Sequence, residues 1–569
     1  MPSPQQETTK NRSLFNIAGD ILRATGIAGL IWKFMTYLMT HQRSLLVMFV
    51  VLPLSLAFDF YNAALNWYNI HVKSSPKDHQ KRVSRIQNRV QEWINAGKPT
   101  PMCTARPGWL TASPRHASYK NQMWTVNLNL TDILELDLAN NTVKVEPMVT
   151  VKMLLDYLLP RGVTLPVVPE MDELTIGGLV SGYGIETTSH VHGLLSDIAI
   201  AYEIVLPDAS VRRVTRGDKL FHQINWSFGT LGFLTAIELP VIKASRFVRH
   251  EYIPIYSKQD IVQTWTKYQT ASSPPDFLEG IQFSENEAVI CVGHYENEVK
   301  PGDVINDVTR WWTPYFFKQC ERYLRRHRRG MELIPLKAYY RRHNRSVFWV
   351  LQDQIPISNN PLFRLLFGWA LPPRVPFLKL IESDEMTKFY ETNYVIQDLL
   401  VPVEALEETI TECERKVAVY PVWICGFKLF NYGDVQGKMR KPKGTKPGEW
   451  GHYLDFAIIG PPHAPNYSVE VIPQLEEFLR RVGGYQGSYS YTYQTREEYR
   501  QMFDHTIYDQ LRSELGGDKA FPESFDKVAR NNQYTPTTER QEPRREVLPK
   551  DVGTKQQQLA REAVHAKEE

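Results

Sequence analysis

The segment from Thr175 to Thr187 constrains the fold more than any other part of the chain, because it places four glycines among small and apolar residues. Glycine has no side chain, so such a segment permits positive φ angles and lets a ligand approach the backbone closely. Successive free N–H groups in a loop of this kind form a concavity that suits an anion such as a pyrophosphate. On spacing alone, the alternative is a tight turn that packs small residues against a core.

Two common phosphate-binding motifs do not fit this segment. A Walker A loop needs a lysine directly after its second glycine, and Tyr183 follows Gly182 here. The glycine spacing also differs from the Rossmann fingerprint, and no clear strand leads into the segment. A second glycine pair, Gly229 and Gly232, precedes the apolar run Phe233–Leu239 and by itself indicates only a junction between a loop and a strand.

Overall charge and cysteine content exclude some classes of protein. The net charge of +3 arises from 66 basic and 63 acidic residues, which argues against a protein dedicated to nucleic acid. The five cysteines are widely spaced and form no CxxC pair, so we predict neither a metal site nor a disulfide framework. A reducing compartment is the simpler interpretation for the main domain.

Periodicity along the chain predicts mixed α and β structure. Residues 74–98 have the pattern of a polar helix, and residues 124–149 alternate short apolar runs with turns, as strands do. Ile198–Leu206 and Val211–Val214 read as two strands joined by a turn. The long stretch Arg496–Leu515 has the pattern of a helix. We therefore predict an α+β fold.

An apolar segment near the N-terminus predicts attachment to a membrane. Leu45–Phe58 carries no charge, and extension through Trp67 would bring it to the length that a bilayer requires. Upstream, Leu14–Met39 mixes apolar and basic residues, as does a helix that lies on a membrane surface. A signal peptide and a buried helix hairpin are the alternatives, and the flanking charges do not settle the orientation.

Several longer motifs resemble one family. The glycine-rich segment, the strand pair at 198–214 and the second glycine pair with its strand resemble, in order and spacing, the FAD-binding domain of the vanillyl-alcohol oxidase class, the PCMH-type fold. Within that class, Cys103–Leu110, Leu165–Thr175, Gly184–His190, Phe348–Pro356 and Asn359–Trp369 are similar to the Δ24-sterol reductases, also called the 24-dehydrocholesterol reductase or Diminuto/seladin family. The resemblance covers about residues 45–530, and the region Tyr432–Trp450 departs from it.

This resemblance implies a domain organisation. A membrane-anchoring region at 1–72 precedes a two-subdomain FAD-binding domain at 73–245. A mixed α/β substrate or cap domain follows at 246–480, and a segment at 481–530 returns to the flavin site. Residues 531–569 are poor in apolar side chains, and we predict a disordered tail there.

The resemblance also implies an activity. The protein would reduce the C24–C25 double bond of a sterol side chain, with NADPH reducing FAD, in the endoplasmic reticulum membrane and with a cytoplasmic catalytic domain. Because the alkene is isolated, protonation at C24 should come first, followed by hydride transfer to C25, and this order requires a general acid beside the alkene. Two alternatives stay open: a flavin oxidase or dehydrogenase of another substrate, and a membrane scaffold of the same fold without activity.

The residues expected to hold FAD are those of the glycine-rich segment and the second glycine pair. They are Thr175, Ile176, Gly177, Gly178, Leu179, Val180, Ser181, Gly182, Tyr183, Gly184, Ile185, Glu186, Thr187, Gly229 and Gly232. We expect the cofactor to be bound non-covalently, because the residues around His116 lack the small-residue loop of relatives that attach FAD to a histidine.

The sequence offers candidates for the general acid but does not single out one residue. Tyr491 and Tyr493 lie in a tyrosine-rich run of the returning segment. Glu203 lies in an apolar strand, where a carboxyl is costly unless it is paired or functional. For the two tyrosines the alternative is packing in the core or at the surface, and for Glu203 it is a structural partner. The runs Arg310–Lys318 and Leu362–Leu380 combine bulky apolar and basic residues and would suit a membrane-facing entrance for a lipid, and Arg325–Arg329 would suit the phosphates of NADPH or form a solvated face.

Overall fold

The computed structural model describes residues 50–530, except for 69–71, 112, 114, 116, 373–374, 382–386, 388–389, 391 and 463–467. The predicted surface helix Leu14–Met39, the start of the apolar run, His116 and the predicted disordered tail therefore lie outside the described residues.

The strands, numbered in chain order, are β1 Met102–Thr104, β2 Trp124–Val126, β3 Ile133–Asp137, β4 Thr142–Val145, β5 Val163–Thr164, β6 Ala201–Val205, β7 Val211–Thr215, β8 Phe233–Pro240, β9 Ile242–Lys243, β10 Phe247–Ile255, β11 Phe277–Gln282, β12 Ala288–Glu296, β13 Gly330–Pro335, β14 Val395–Pro402, β15 Val422–Phe430, β16 Trp450–Gly460 and β17 Tyr485–Gln486.

The α-helices are α1 Leu52–Tyr68, α2 His79–Asn95, α3 Val151–Leu158, α4 Ile176–Ser181, α5 Ser189–His192, α6 Leu195–Ile198, α7 Lys219–Ile224, α8 Lys258–Gln269, α9 Phe316–Arg325, α10 Leu336–Tyr340, α11 Val350–Gln354, α12 Pro361–Phe367, α13 Val375–Ile381, α14 Leu406–Lys416, α15 Ser468–Val482, α16 Arg496–Met502, α17 Thr506–Glu514, α18 Gly517–Ala520 and α19 Ser524–Val528.

The N-terminal half is built on a five-stranded antiparallel sheet in the order β3-β4-β8-β6-β7, beside the parallel pair β1-β2. Helix α2 packs its buried residues Val83, Ile86, Val90 and Trp93 against this half of the molecule. Its first residue, His79, is bound to carboxylates of the sheet, Glu146 and Glu203. The helix is therefore held by both apolar burial and charge.

The predicted strand Ile198–Leu206 is shorter in the structure. Its first residue, Ile198, is the last residue of the short helix α6, in which the Asp197 carboxylate accepts the N–H of Leu194 at 2.7 Å and closes a turn, and the strand begins only at Ala201. The predicted helix Arg496–Leu515 is likewise two helices, α16 and α17. Between them, the Asp504 N–H bonds to the Lys438 carbonyl at 2.7 Å, and this bond takes the chain out of the helix.

The second half is built on an eight-stranded sheet in the order β13-β10-β12-β11-β15-β16-β14-β17. All of its described pairings are antiparallel. Its central strands β11, β15, β16 and β14 are largely buried, so both faces of the sheet are covered. The fold is therefore α+β, as the sequence predicts.

Helix α1 corresponds to the C-terminal part of the predicted anchor. It spans 17 residues, and Phe58 on it contacts the rings of Trp109 and Phe377. Within the residues described, none of the helices combines the length and the hydropathy needed to span a bilayer. This finding does not support the membrane-anchoring helix predicted from the sequence.

Candidate functional site

The glycine-rich segment folds into helix α4 and the turn that follows it. All four glycines lie in the described part of the chain, and none of them has a positive φ, so the expected use of glycine for left-handed backbone is wrong here. The reason for glycine is close packing: a Cβ at Gly177 would lie 2.5 Å from the Cβ of Pro147. The N–H groups of Ile176 and Gly177 are bonded to the carbonyls of Val149 and Pro147. These two amides are therefore already satisfied.

The second glycine pair lies directly beside this segment. Phe228 N–H bonds to the Ser181 carbonyl, and Trp226 stacks on Tyr183 with 5.1 Å between ring centroids. Gly229 has a φ of +71°, which a side chain would strain, while a Cβ at Gly232 would clash with Ile204 at 2.7 Å. The structure thus brings the two glycine motifs together, although it does not test the binding role predicted for each residue.

A group of partly buried cations lies against these motifs, since Arg106 donates to the Thr175 hydroxyl and Lys527 to the Phe228 carbonyl. We call Arg106, Arg115, Lys120 and Lys527 the cationic pocket. Their hydrogen bonds run to neutral oxygens: Lys120 Nζ donates to the Thr104 and Arg106 carbonyls, and Lys527 Nζ donates to the Phe228 carbonyl. No acidic side chain among the described residues forms an ion pair with any of the four. Four basic side chains therefore lie partly buried, without an acidic partner among the described residues.

Burial shifts the titration of these cations. It lowers the pKa of Lys527 to about 7 and that of Lys120 to about 8, because an ammonium group loses hydration when it leaves water. Arg106 has a further indication of a missing partner, since its buried Nε has no hydrogen-bond acceptor in the part of the chain that the structure describes. A group of this kind suits a ligand that brings several negative charges.

The loop that carries Arg106 and Arg115 is fixed from the second half of the molecule. Lys379 Nζ donates to the carbonyls of Gly108, Thr111, Ser113 and Arg115, at distances between 2.7 and 3.2 Å. Arg115 Nε in turn donates to the Tyr489 carbonyl at 3.1 Å. These hydrogen bonds hold the two arginines of the loop in place beside the glycine motifs.

The residues of the cationic pocket fit a dinucleotide. The pyrophosphate of FAD carries two negative charges, which would compensate part of the buried positive charge. Backbone N–H groups and glycines alone would not explain why four cations are buried at this place. The loop motif Cys103–Leu110 and the glycine-rich segment together therefore have the charge that a binding site for the FAD pyrophosphate requires.

A row of buried carboxyls faces the same region from the eight-stranded sheet. We call Glu279, Asp398 and Asp455, with Glu170 opposite them, the carboxyl face. The register places Glu279 opposite Cys425, Cys425 opposite Asp455, and Asp455 opposite Leu400, so these side chains share one face of the sheet. Asp398 lies two residues before Leu400 and points to that same face.

Only part of the carboxyl face is neutralised by a cation. Arg342, which is 1% exposed, donates to Glu279 at 2.7 Å and to Glu186 of the glycine-rich segment at 2.9 Å. The charge of Arg342 lowers the pKa of Glu186 against the opposing effect of burial. Burial raises the pKa of Asp398 to about 7 and that of Asp455 well above its usual range. The two aspartates therefore exist near neutral pH with at least one proton between them.

The predicted acids occupy other positions. Glu203 is bound to His79 at 3.0 Å and to Thr235 at 2.7 Å, which gives it the structural partner that was its alternative. The Tyr493 N–H bonds to Glu476, and the Arg530 guanidinium lies 4.9 Å from the Tyr493 ring. Tyr491 accepts hydrogen bonds through its carbonyl from Gln397 and Gln486. None of these contacts brings the three to the carboxyl face, and their catalytic role stays an untested prediction.

Sequence reasoning missed the cationic pocket and the carboxyl face. A signal existed for the second, because Asp398 and Asp455 interrupt the apolar strands β14 and β16 in the same way as Glu203 interrupts its strand. The basic run Arg325–Arg329 lies apart from both groups. Arg325 is 57% exposed at the end of α9 and pairs with Glu287.

Comparisons with known proteins agree with this geometry. A family model described as an FAD binding domain matches residues 102–215. This range includes β1, the glycine-rich segment and the loop that carries Arg106 and Arg115, which we call the arginine loop. The chain is 41% identical over 507 residues to the Delta(24)-sterol reductase of Homo sapiens, which covers 88% of this chain and 96% of that protein. It is 35% identical over 520 residues to a Delta(24)-sterol reductase homolog of Caenorhabditis elegans, with 88% and 97% covered.

A plant protein shows the same relation at lower identity. The chain is 32% identical over 500 residues to the Delta(24)-sterol reductase of Arabidopsis thaliana, with 83% of this chain and 88% of that protein covered. A buried cationic pocket, a family model for FAD binding and relatives that match over nearly their full length lead to one conclusion. The chain belongs to the Delta(24)-sterol reductase family, and it carries an FAD-binding domain.

Proposed function

We propose that this protein reduces the C24–C25 double bond of a sterol side chain, with NADPH as the electron donor and non-covalently bound FAD as the carrier. Membership in a reductase family makes the chain an oxidoreductase that acts on a C=C bond. The observation that carries the proposal is the juxtaposition of the cationic pocket with a buried carboxyl face across the glycine-rich segment.

Different residues of this chain would bind the cofactor, shape its site and exclude water. Arg106, Arg115, Lys120 and Lys527 would hold the pyrophosphate, and the stacked pair Tyr183 and Trp226 would limit the space available to the flavin. When bound, FAD supplies the hydride that reduces the alkene, and NADPH renews it. The buried sheet around Asp455 would exclude water from the developing positive charge on the sterol.

Anaerobic turnover tests this proposal. The purified protein is incubated with NADPH and a sterol that has a 24(25) alkene, and the products are analysed by mass. We expect a gain of two mass units and none with a sterol whose side chain is saturated. A sterol with a 24(28) alkene, run in parallel, measures specificity. Peroxide formation without NADPH would instead favour the oxidase alternative, and absence of bound flavin would favour the inactive scaffold.

We also propose that one surface of the protein lies on a membrane. Exposed apolar side chains cluster on and near α12, where Leu362 is 64% exposed, Leu365 59% and Trp369 60%. Trp311 and Trp312, each 43% exposed, belong to the same surface, because Arg345 and Arg364 bond to their carbonyls. So much apolar surface on large side chains is typical of contact with lipid or protein.

The occupant we propose is a phospholipid bilayer, because helix α1 contacts the segment Gly368–Ala370 that follows α12 and also reaches the loop that carries Arg106. Helix α1 reaches Trp109 of the arginine loop and Phe377 of α13 through Phe58, so a sterol leaving the bilayer would meet the cofactor site directly. Vesicle flotation tests the surface: Leu362→Glu with Leu365→Glu should release the protein from vesicles, whereas a charge at exposed Val211 should not. Unchanged flotation would contradict the proposal. The endoplasmic reticulum and a cytoplasmic catalytic domain, which the resemblance implies, are checked by fractionation and protease protection.

A further inference from the structure

Asp455 differs from other buried carboxyls of the same sheet in having no donor group. Its side chain is 0% exposed, and neither carboxyl oxygen accepts a hydrogen bond from a donor among the described residues. Glu332, on the edge strand β13, is also buried but accepts hydrogen bonds from Tyr252, Asn306, Gln319 and Tyr323. A buried carboxylate without donors costs several kcal/mol, so Asp455 must exist as the neutral acid or have a function that compensates for the cost.

The polar group that interacts with Asp455 is another carboxyl. Asp398 lies across the strand pair β14-β16, and the two titrate together. Two carboxyls at such a place cannot both ionise, so they share a proton. Tyr489 breaks the symmetry of the pair, because its hydroxyl donates to Asp398 Oδ1 at 3.1 Å and thereby favours the anionic form of Asp398. The proton is therefore held by Asp455.

The pair is connected to the candidate cofactor site through Tyr489. Tyr489, whose hydroxyl bonds to Asp398, gives its carbonyl to Arg115 of the cationic pocket. Its ring lies 6.4 Å from that of Tyr183 in the glycine-rich segment. One residue thus connects the pair to the cationic pocket and to the segment that approaches the flavin. The Oε2 of Glu170, which precedes that segment, also accepts no hydrogen bond from a donor among the described residues, and its carboxyl interacts with that of Glu186.

On these grounds, and resting on the proposed function, we propose that Asp455 is the general acid of the reaction and that Asp398 and Tyr489 position its proton. The Asp455 O–H bond breaks, and its proton forms the new C24–H bond with the π electron pair of the alkene. A positive charge then lies on C25 beside the carboxylate left on Asp455, which stabilises it. The cofactor, reduced by NADPH, would supply the hydride that C25 takes up, and a proton from water then restores Asp455.

Separating the two half-reactions tests this role. Flavin is first reduced by NADPH without oxygen, and its reoxidation on mixing with a 24(25)-alkene sterol is then followed. We expect Asp455→Asn to accept electrons from NADPH at the rate of the unmodified protein and to be reoxidised about 10²–10⁴ times more slowly. Asp455→Glu should recover part of the rate. The matched control is Glu332→Gln, which removes a buried carboxyl of the same sheet and should leave reoxidation unchanged.

An infrared measurement gives a readout that does not depend on turnover. The unmodified protein should show the C=O stretch of a protonated carboxyl, which shifts in D₂O and is lost in Asp455→Asn but not in Glu332→Gln. If Asp455→Asn fails to fold or to hold flavin, Tyr489→Phe replaces it. This variant should slow reoxidation about tenfold and move the pH dependence of that step, because Asp398 loses the donor that favours its anion.

The outcomes separate the two proposals. No reoxidation of the unmodified protein by the sterol would overturn the proposed function and the acid role together. Normal reoxidation in Asp455→Asn, or in Tyr489→Phe where that variant is used, would overturn the acid role alone. Loss of reoxidation together with loss of the infrared band in Asp455→Asn supports both.

Discussion

The cationic pocket and the carboxyl face are both buried and both carry unbalanced charge, yet they are stabilised in different ways. The cations Arg106 and Arg115 stay charged, since guanidinium groups keep their protons, and they are bonded to carbonyl oxygens. The carboxyls can take up protons and become neutral, as Asp398 and Asp455 do. A surplus of buried positive charge therefore indicates a missing anionic ligand, whereas a surplus of buried carboxyls indicates stored protons.

The largest expected effect concerns Arg342, the cation of the carboxyl face. Arg342→Met should reduce the free energy of unfolding by about 3–5 kcal/mol, because it leaves Glu186 and Glu279 buried without a counter-charge. Denaturant unfolding measures this loss, with exposed Arg325→Met as the control. A loss as small as that of the control would mean that the carboxyl face needs no cation, and the contrast between the two regions would weaken.

The next effect concerns pH. Because burial raises the pKa of Asp398 from 3.8 to about 7, the folded state binds this proton more tightly than the unfolded state does. The contribution of Asp398 to stability therefore falls as the pH rises from about 4 to about 7. Asp455, Glu170 and Tyr489 face it and share in the titration.

Asp398→Asn should remove this dependence. We expect the variant to gain on the order of 2–4 kcal/mol relative to the unmodified protein between pH 4 and pH 7. Unfolding curves measured at several pH values for the flavin-free protein give the difference. A difference that does not change with pH would show that the pKa of Asp398 is not raised in the folded state, and the stored proton would then belong to Asp455 alone.

A third effect concerns the cationic pocket. Lys527→Met should weaken FAD binding about 10–100-fold, because a charged hydrogen-bond donor is lost, and should stabilise the flavin-free protein, because an unpaired buried charge is removed. Flavin fluorescence titration and thermal melting measure the two effects, with exposed Lys519→Met as the control. Lower stability of the flavin-free variant would contradict the idea of an uncompensated pocket.

The same pocket predicts how cofactor affinity varies with pH. The pKa of Lys527 is lowered to about 7 in the free protein, and an anionic ligand would raise it again. Affinity for FAD should therefore be highest below pH 7 and fall as the pH rises, and Lys527→Met should flatten this dependence.

The smallest effect concerns a region where charge is balanced. Burial alone would lower the pKa of His79, but its hydrogen bonds to Glu146 and Glu203 raise it to about 9. The stability from this contact is present below pH 6.5 and is lost as the pH rises through 9. His79→Gln should cost on the order of 1 kcal/mol at pH 6, after allowance for solvent screening, and almost nothing at pH 10. Exposed His327→Gln serves as the control, and an equal cost at both pH values would refute the pairing.

Much of the fold could be predicted from the sequence, but the site only in part. Alternating apolar residues predicted strands at β6, β7 and β8, and the FAD-binding domain predicted from the glycine motifs and their family resemblance is confirmed by the family model. The cationic pocket could not be predicted, because Arg115 and Lys527 are 412 residues apart in the sequence and meet only through tertiary packing. The carboxyl face depends on strand register, which apolar patterning does not specify for a sheet buried on both faces.

Glu203 shows that a carboxyl in an apolar strand does not by itself indicate a catalytic residue. A carboxyl within an apolar run is either paired or functional, and sequence alone does not distinguish the two. Helix α2 supplies the partner of Glu203 through His79, whereas no donor group reaches Asp455 among the described residues. The distinction lies in what another part of the chain brings to the strand.

The contact of Phe58 with Trp109 ties the N-terminal helix to the arginine loop. Shortening the protein so that it begins after α1 would therefore remove one wall of the loop that carries Arg106 and Arg115, besides removing apolar surface. Such a shortened protein should be purified with less yellow colour per mole, even in detergent that keeps it in solution. Removal of α1 would then weaken both the attachment to lipid and the retention of the coenzyme.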